Sequence, residues 1–345
     1  MLSDQYLIQR LAEAPLLGSG IGGTSTLLAV EGTPVFVKQV PLTDLERRPE
    51  NHLSTANLFQ LPMFYQYGVG SAGFGAWREL AAHSMTTSWV LDQKCESFPL
   101  MYHWRVLETP THQLAGLEEQ VDLEAMVAYW NGSTAVRHRL EALTTSAANL
   151  VLFLEHLPTN LHEWLTLQRV DSGGATESAL AMVEGHLRSD VAFMNSRGLL
   201  HFDAHFRNIL TDGRQLYFTD FGLATSSQFN LSDAESKFFA TNYRHDACYT
   251  VTQLVNWLSS ALAPHGDRDG FIQRCAEGED PKRVAEREVA TPVAEIITRY
   301  APIAVVINDF YWKLHGESRA TPYPFDAIQR VCASAGLGAG MPSRQ

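Results

Sequence analysis

The chain has little cysteine and no long apolar run. Its four cysteines are widely separated and none stands at Cys-x-x-Cys spacing, which argues against a zinc knuckle and predicts reduced thiols. No apolar run approaches the roughly 20 residues that span a bilayer, and the N-terminus has no basic segment followed by an apolar one. We therefore expect a cytoplasmic protein without a membrane partner.

Positive charge is also scarce. The chain has 26 Lys and Arg against 38 Asp and Glu, a net charge of −12. Since nucleic-acid backbones attract basic surfaces, this balance argues against a general nucleic-acid partner. A hydrophobic content of 45% over 345 residues instead predicts a folded protein with a large core, as one bilobal domain or two ordinary ones.

The most informative stretch is the run 201–208 (HFDAHFRN), followed by an Asp-Phe-Gly that begins at Asp220. Asp203 can accept a proton from an attacking hydroxyl, and Asn208 can hold a divalent cation through its side-chain oxygen. Residues 209–219 predict a β-hairpin with an Asp-Gly turn, which returns Asp220 to the side of Asn208. Phosphoryl transfer needs a positioned nucleophile and metal ions on the phosphates. The alternative is a polar turn beside a hairpin.

These motifs resemble the catalytic and metal-binding loops of the protein kinase-like superfamily. The resemblance implies an α+β, bilobal protein kinase-like fold. Its small antiparallel β-rich N-lobe would cover residues 1–157 and its larger, mainly helical C-lobe residues 158–334. A tail, 335–345, is expected to be disordered.

The resemblance also implies ATP and Mg²⁺ as ligands. Asp203 would act as the base or hydroxyl-orienting group, and Asn208 and Asp220 would be the Mg²⁺ ligands. His201 would be the family's structural histidine. A metal-ligand role for it is less favoured, because His205 is its only near partner.

Residues 18–23 fit a G-x-G-x-x-G pattern, which alone is a weak signal. A dinucleotide fold would need a helix directly after Gly23, but residues 24–40 predict strand, turn and strand. The glycine loop is therefore expected to join two strands, where backbone without Cβ atoms can approach phosphates closely. The residues expected to contact the nucleotide are Gly18, Ser19, Gly20 and Gly23.

Lys38 lies on the second of these strands, 20 positions after Gly18, and is the only lysine among residues 1–88. A lysine on a strand is usually a solvated edge charge. Its isolation, and the resemblance, instead favour binding of the α- and β-phosphates. Two residues depart from the family pattern: Phe36 replaces a small residue beneath the adenine, and Ser25 replaces a valine.

The family's lysine pairs with a glutamate on a helix. Residues 75–91 predict such a helix, ahead of a strand over 98–107, so Glu79 is the expected partner and is grouped with the nucleotide-binding residues. Glu46 and Glu50 are alternatives, and Glu79 could also be a surface charge.

The middle of the chain carries an insertion and a hinge. Residues 109–145 show helical patterns, which favour an elaboration of the small lobe over a regulatory or partner-binding arm. The apolar strand 149–158 resembles the hinge that contacts adenine, and backbone recognition there would fall on Glu155 and Leu157. A long helix over 177–197 then leads into the catalytic loop.

The residues around the loop leave the acceptor open. Phe202 stands where many protein kinases have the arginine that binds a phosphorylated activation loop. His205 resembles small-molecule phosphotransferases, whereas Arg207 resembles tyrosine kinases. Asp246, which by resemblance holds the catalytic-loop backbone, follows Asp220 after only 26 positions with no Ala-Pro-Glu before it.

Three functions follow from these features. The favoured one is an ATP- and Mg²⁺-dependent kinase acting on a protein hydroxyl, supported by the Asp-Phe-Gly-Leu-Ala run at 220–224. The second is a small-molecule kinase of the aminoglycoside or choline kinase type. The third is a pseudokinase or nucleotide-binding module, which the presence of every chemical residue disfavours.

Overall fold

A computed structural model describes residues 3–20, 22–68, 70–108, 122–168 and 174–337 of the chain. Its backbone contacts divide the chain into two compact units. The first comprises residues 1–157, 201–203 and 220–237, and the second comprises 158–200, 204–219 and 238–345. The first unit thus includes two short segments that the sequence assigned to the C-lobe.

The first unit is built on a five-stranded antiparallel sheet with strand order β1-β2-β3-β5-β4. Its strands are β1 (Leu16–Gly20), β2 (Gly23–Val30), β3 (Thr33–Leu42), β4 (Met101–Glu108) and β5 (Ala148–Glu155). The expected order of glycine turn, strand, turn and strand is present. The strand predicted over 98–107 begins later, at Met101.

Helices cover both faces of this sheet because β3 alternates its side chains. Val35 and Val37 point to the face that packs on α1 (Asp4–Glu13). Val40 and the half-buried Phe36 point to the opposite face, which packs on α3 (Ala76–Leu91). A period of two along a strand places alternate residues on opposite faces, so Lys38 belongs to the α3 face.

The other helices of the first unit are short. They are α2 (Asp44–Arg47), α4 (Leu123–Tyr129) and α5 (Thr134–Thr144), with 3-10 helices at Pro49–Asn51, Met63–Tyr67 and Phe221–Leu223 and a two-residue strand, β10 (Thr225–Ser226). The helical patterns predicted after residue 122 are confirmed by α4 and α5, while the predicted pattern over 109–121 lies outside the described residues. Trp130 and Leu140 from these helices bury against Leu61 and Tyr65.

The second unit is mainly helical. Its elements are β6 (Thr159–Asn160), α6 (Leu161–Leu167), α7 (Gly174–Ser196), β7 (Leu199–Leu200), β8 (Ile209–Thr211), β9 (Leu216–Phe218), α9 (His245–Leu262), α10 (Arg268–Ala276), α11 (Pro281–Val284), α12 (Thr291–Gly316) and α13 (Phe325–Ser334). A further helix, α8 (Asp233–Thr241), starts in the first unit and ends in the second. Helices α9 and α12 pack together through buried aliphatic side chains such as Leu254 and Ile307.

Two predictions for this unit are confirmed, the long helix over 177–197 and the hairpin over 209–219. Asn160 caps α6 by accepting from the Glu163 amide at 2.9 Å. The long helix α7 ends before Gly198, whose φ of 75° suits a glycine at a helix C-terminus. Strands β8 and β9 form the predicted hairpin, with Ile209 opposite Phe218.

The helices α8, α10 and α13 were not predicted; α8 and α10 carry many polar residues, and α13 is a short amphipathic helix. The expectation of disorder was wrong for residues 335–337. Ala335 is buried and caps α13, and the Leu337 amide donates to Cys332 O at 3.0 Å. The rest of the predicted tail lies outside the described residues. Among the helices that the structure describes, none combines the length and apolar character needed to cross a membrane.

Candidate functional site

Lys38 is held between two carboxylates in the first unit. Its Nζ donates to Glu79 Oε1 at 2.6 Å and to Asp220 Oδ1 at 2.8 Å. These residues lie 41 and 182 positions from Lys38 in sequence. The pairing of Lys38 with Glu79 is the one expected from the sequence, and Asp220 joins it as a third member.

The three charges differ in their access to solvent. The side chain of Lys38 is 12% exposed and that of Glu79 is 2% exposed, whereas Asp220 is 45% exposed. Two carboxylates share one ammonium, so the group carries a formal charge of −1. Within the described residues, Asp220 Oδ2 has no hydrogen-bond partner, and this oxygen is the open end of the cluster.

The pKa values follow from burial and pairing. Burial alone would lower the pKa of Lys38, but attraction to Asp220 and Glu79 outweighs it and raises that pKa. Burial alone would raise the pKa of Asp220, but Lys38 overcomes this and lowers it to about 2. Burial raises the pKa of Glu79 despite its contact with Lys38. At neutral pH Lys38 and Asp220 are therefore both charged.

The two alternative partners for Lys38 are engaged elsewhere or exposed. Glu46 is buried and binds Arg139 Nη1 at 2.8 Å, while its other oxygen accepts from the Ala76 amide at 2.8 Å. Burial would raise the pKa of Glu46, but Arg139 and Thr43 lower it. Glu50 is exposed in a 3-10 helix.

The Asp-Phe-Gly segment anchors Asp220 beside Lys38. Asp220 adopts a left-handed conformation with φ 62° and ψ 73° and accepts from the Gly222 amide at 3.4 Å. Phe221 is fully buried, with its ring centroid 5.0 Å from those of both His83 and His201. A non-glycine residue in this region is uncommon and costs energy that the surrounding packing must offset.

The loop that carries Asp203 is held from within the first unit. His201 is fully buried, and its Nδ1 accepts from the Asp203 amide at 3.3 Å, as a supporting histidine would. Phe202 has φ 63°, is 1% exposed and meets Tyr67 edge-on at 6.0 Å. Phe202 is therefore a core residue of the first unit.

Gln66, Gly68 and Gly73 contribute directly to this site. Gln66 is buried, and its side-chain amide donates to Leu223 O. A Cβ added at Gly73 would lie 2.1 Å from Gly222 O, so only glycine permits this approach. A Cβ added at Gly68 would lie 3.8 Å from Asp203 Oδ1. The sequence signal was present, because glycines at 68, 70, 73 and 75 mark close backbone approach.

The glycine hairpin is the predicted turn between β1 and β2, with Gly20 opposite Gly23. Gly23 has φ 116°, and a Cβ there would lie 2.0 Å from Gln39 O, so the fold itself requires glycine. A Cβ at Gly20 would meet no atom within 4 Å, and one at Gly18 would lie 3.3 Å from Ser25 Oγ. Together with Ser19, Gly20 is thus the open part of the loop.

The predicted hinge follows β5. The Glu155 amide donates to Leu100 O at 2.8 Å, and its side chain accepts from the Leu100 amide at 3.1 Å. The amide of Glu155 is therefore already used, which leaves backbone groups of the half-buried residues 156–157 for any base recognition. Leu157 is the last residue of this part of the first unit.

Asn208 lies in the second unit. Its amide donates to His205 O at 2.8 Å, and its carbonyl accepts from the Thr219 amide at 3.1 Å. The hairpin β8–β9 thus extends its hydrogen bonding to the residue directly before Asp220. Asp246, also in this unit, is fully buried with Oδ1 3.3 Å from His245 Nδ1. The Asn195 amide is best oriented with its nitrogen 3.2 Å from Asp246 Oδ2 and 3.1 Å from Leu199 O.

A cavity of about 740 Å³ opens in the second unit beside the loop 205–207. It is lined by His205 and Arg207 together with α6, α9 and the start of α10. Its aromatic residues are Phe206, Tyr249 and Trp257, and no Asp or Glu is among the described residues that line it. In a chain with a net charge of −12, this lining favours a ligand with an anionic group.

Among the described residues there is no group of three or more His, Cys, Asp and Glu side chains arranged to hold a metal ion. The predicted Mg²⁺ ligands are fewer, one carboxylate (Asp220) and one amide (Asn208). No protein-family model and no curated protein matches this chain.

Proposed function

We propose that this chain is an ATP- and Mg²⁺-dependent phosphotransferase that moves a γ-phosphate to a hydroxyl, with a protein kinase-like fold. On this proposal the first and second units are its small and large lobes. The observation that carries the proposal is the placement of Lys38 between Glu79 and Asp220. One acid, Glu79, is enough to neutralise the buried Lys38. The second acid, Asp220, is half-exposed, so we attribute its position to ligand binding and not to stability.

The site has features that fit a nucleotide with a divalent cation. Asp220 directs an unpaired carboxylate oxygen outward from a group of net negative charge, and Gly20 leaves room for phosphates. Bound Mg²⁺ would neutralise charge on the phosphate oxygens. Asp220 and Asn208 would hold it, and Lys38, fixed by Glu79, would bind the phosphates. Asp203 would orient the acceptor hydroxyl and take its proton.

The proposal is tested by separating binding from transfer. Asp203→Ala should abolish transfer of labelled γ-phosphate while calorimetry still detects nucleotide binding, because Asp203 acts on the acceptor. Asp309→Ala removes an exposed carboxylate on α12 and should leave both measurements unchanged. A transfer rate unaffected by Asp203→Ala would contradict the mechanism.

Asp220→Ala tests the metal site separately. Nucleotide affinity in wild-type protein should depend on Mg²⁺, and in Asp220→Ala it should become independent of Mg²⁺. Nucleotide binding that needs Asp220, without any transfer, would favour the pseudokinase alternative.

The acceptor is most simply a protein hydroxyl, as the Asp-Phe-Gly-Leu-Ala run suggests. The cavity beside 205–207 favours the small-molecule alternative, since about 740 Å³ lies within the range of small-ligand sites. Incubation with labelled ATP and cell lysate, followed by separation by size, distinguishes the two. Label confined to metabolites would overturn the protein-kinase assignment and support a small-molecule kinase.

A further inference from the structure

The second unit contains two buried thiols in direct contact. The Sγ atoms of Cys248 and Cys332 are 3.1 Å apart, and each side chain is fully buried. Cys248 lies in the first turn of α9 and Cys332 near the end of α13, so 84 positions of sequence separate them. The structure has both cysteines as free thiols. A contraction of about 1 Å would bring the sulfurs to the length of a disulfide bond.

The positive charge of Arg244 acts on both thiols. Arg244 precedes α9, and its Nη1 donates to Leu337 O at the C-terminal end of α13. The hydrogen bond from Cys248, supported by Arg244, lowers the pKa of Cys332. The same contact with Cys332, together with burial, raises the pKa of Cys248. Cys332 is thus the thiol that more readily becomes a nucleophilic thiolate.

Two cavities lie near this pair, although neither cysteine lines them. A cavity of about 190 Å³ is lined by Arg244 and by Ile328, one turn before Cys332 on α13. A second cavity of about 510 Å³ is lined by Arg244 and by Ala247, next to Cys248. The cap of α13 between them ends in Gly336, whose φ is 68°. The proposal below requires a local opening of this cap to admit a peroxide.

We propose that Cys248 and Cys332 are a reversible disulfide site that covalently links α13 to α9 when the protein meets a hydroperoxide. The Cys332 thiolate attacks the peroxide O–O bond, giving a sulfenic acid and releasing an alcohol or water. The sulfur of Cys248 then attacks the sulfenic sulfur, the S–S bond forms and water leaves. The two thiols together lose two protons and two electrons, and the peroxide is reduced by the same two electrons. A dithiol restores both cysteines.

This site does not depend on the proposed phosphotransferase activity, and the chain supplies its own control. Cys275 on α10 is also buried, at 2% exposure, and lies in the same unit. Burial raises its pKa to about 11, and no second sulfur contacts it in the described part of the chain. If burial alone controlled reaction with a hydroperoxide, Cys275 and the pair would be equally protected. On the proposal only Cys248 and Cys332 react.

The test begins with the reduced full-length protein. It is treated with hydrogen peroxide at one to ten equivalents, alkylated under denaturing conditions and mapped by mass spectrometry. We expect a cross-linked peptide pair containing Cys248 and Cys332, while Cys275 remains alkylated. Absence of this cross-link at doses that leave Cys275 reduced would overturn the proposal, as would equal cross-linking through Cys95 or Cys275.

Thermal unfolding provides the second measurement. A native cross-link that closes a long loop should raise Tm by about 5–10 °C, and dithiothreitol should reverse the rise. Cys275→Ser should keep this response, and Cys248→Ser and Cys332→Ser should lose it. A peroxide-dependent rise that survives in Cys248→Ser would assign the effect to other residues. Since peptide mapping uses the wild-type chain, poor folding of a variant leaves the proposal testable.

Discussion

Helix α3 carries two neighbouring residues whose ion pairs are built differently. Arg78 binds Glu235 with Nη2 2.5 Å from Oε1, and these side chains are 2% and 5% exposed. The other Glu235 oxygen accepts from the Ser232 amide and hydroxyl, and Arg78 Nε donates to Thr55 O at 2.7 Å. One cation thus meets one anion, while Ser232 and Thr55 bond the second Glu235 oxygen and Arg78 Nε. This pair is closed.

The adjacent residue, Glu79, takes part in an open cluster. Here one cation meets two anions, and the second anion, Asp220, is 45% exposed. The comparison teaches that burial of a charge does not by itself mark a functional site, because Arg78 and Glu235 are as buried as Glu79. The distinguishing property is an unmatched, accessible acid on a rigid group. The following predictions test this difference.

Lys38→Met is expected to have the largest effect. If Lys38 binds the phosphates as proposed, its loss should lower phosphoryl transfer by about 10²–10³-fold or more, measured with labelled ATP. Lys38→Met also leaves the buried Glu79 without its cation, so transfer is measured on protein whose folding has been checked by urea unfolding. Lys313→Met, which removes an exposed pair with Asp309, is the matched control. Unchanged transfer in Lys38→Met would show that the open cluster is structural.

Arg78→Met should instead destabilise the protein, by about 3–5 kcal/mol, because it leaves the buried Glu235 without its cation. Urea unfolding at pH 7 measures this loss. Arg137→Met breaks an exposed pair with Glu124 and should change stability little. A loss for Arg78→Met as small as that for Arg137→Met would contradict the view of a closed, structural pair.

The smallest effect concerns His83, one turn after Glu79. Burial, reinforced by the charge on Lys38, lowers the pKa of His83 from 6.5 to about 3. Asp220 and His201 also act on it, and Glu79 Oε1 lies 4.0 Å from its Nε2. Both ring nitrogens lack hydrogen-bond partners within the described residues. The imidazole is therefore neutral in the folded state at pH 5 and charged in the unfolded state.

The sign of the pH dependence follows from this. Between pH 6.5 and 3 the unfolded chain binds one more proton at His83, so stability falls as pH falls through this window. From pH 7 to pH 5 the loss should be about 2 kcal/mol. In urea unfolding at pH 7 and pH 5, His83→Met should lack this loss of unfolding free energy. His138→Gln, which changes an exposed residue of α5, should retain it. Equal pH dependence in His83→Met and wild-type protein would refute the assignment.

Local patterns in the sequence were sufficient for much of the site. The period of two along β3 places Lys38 on the sheet face that packs on α3. The helix predicted over 75–91 corresponds to α3, which carries Glu79. The Asp-Gly turn correctly predicted the hairpin that precedes Asp220. These features depend on neighbours a few residues away, which a sequence displays directly.

Contacts between distant segments were not predictable in this way. Gln66 and Leu223 are 157 positions apart, as are Arg78 and Glu235. Neither contact produces a periodic pattern in the sequence, because each involves only one residue from each of the two segments. The glycine-rich stretch 68–75 did signal close backbone approach, but it could not indicate that Gly222 was the partner.

The two pairs on α3 also restrict how this helix can move. Successive residues on an α-helix point about 100° apart around its axis, so Arg78 and Glu79 fix α3 from two directions. Any turn of the helix about its axis that draws Glu79 away from Lys38 also displaces Arg78 from Glu235. The angular setting of Glu79 is thus determined by folding and exists before any ligand arrives. Control of this protein by rolling α3 in and out would require both ion pairs to break in the same step.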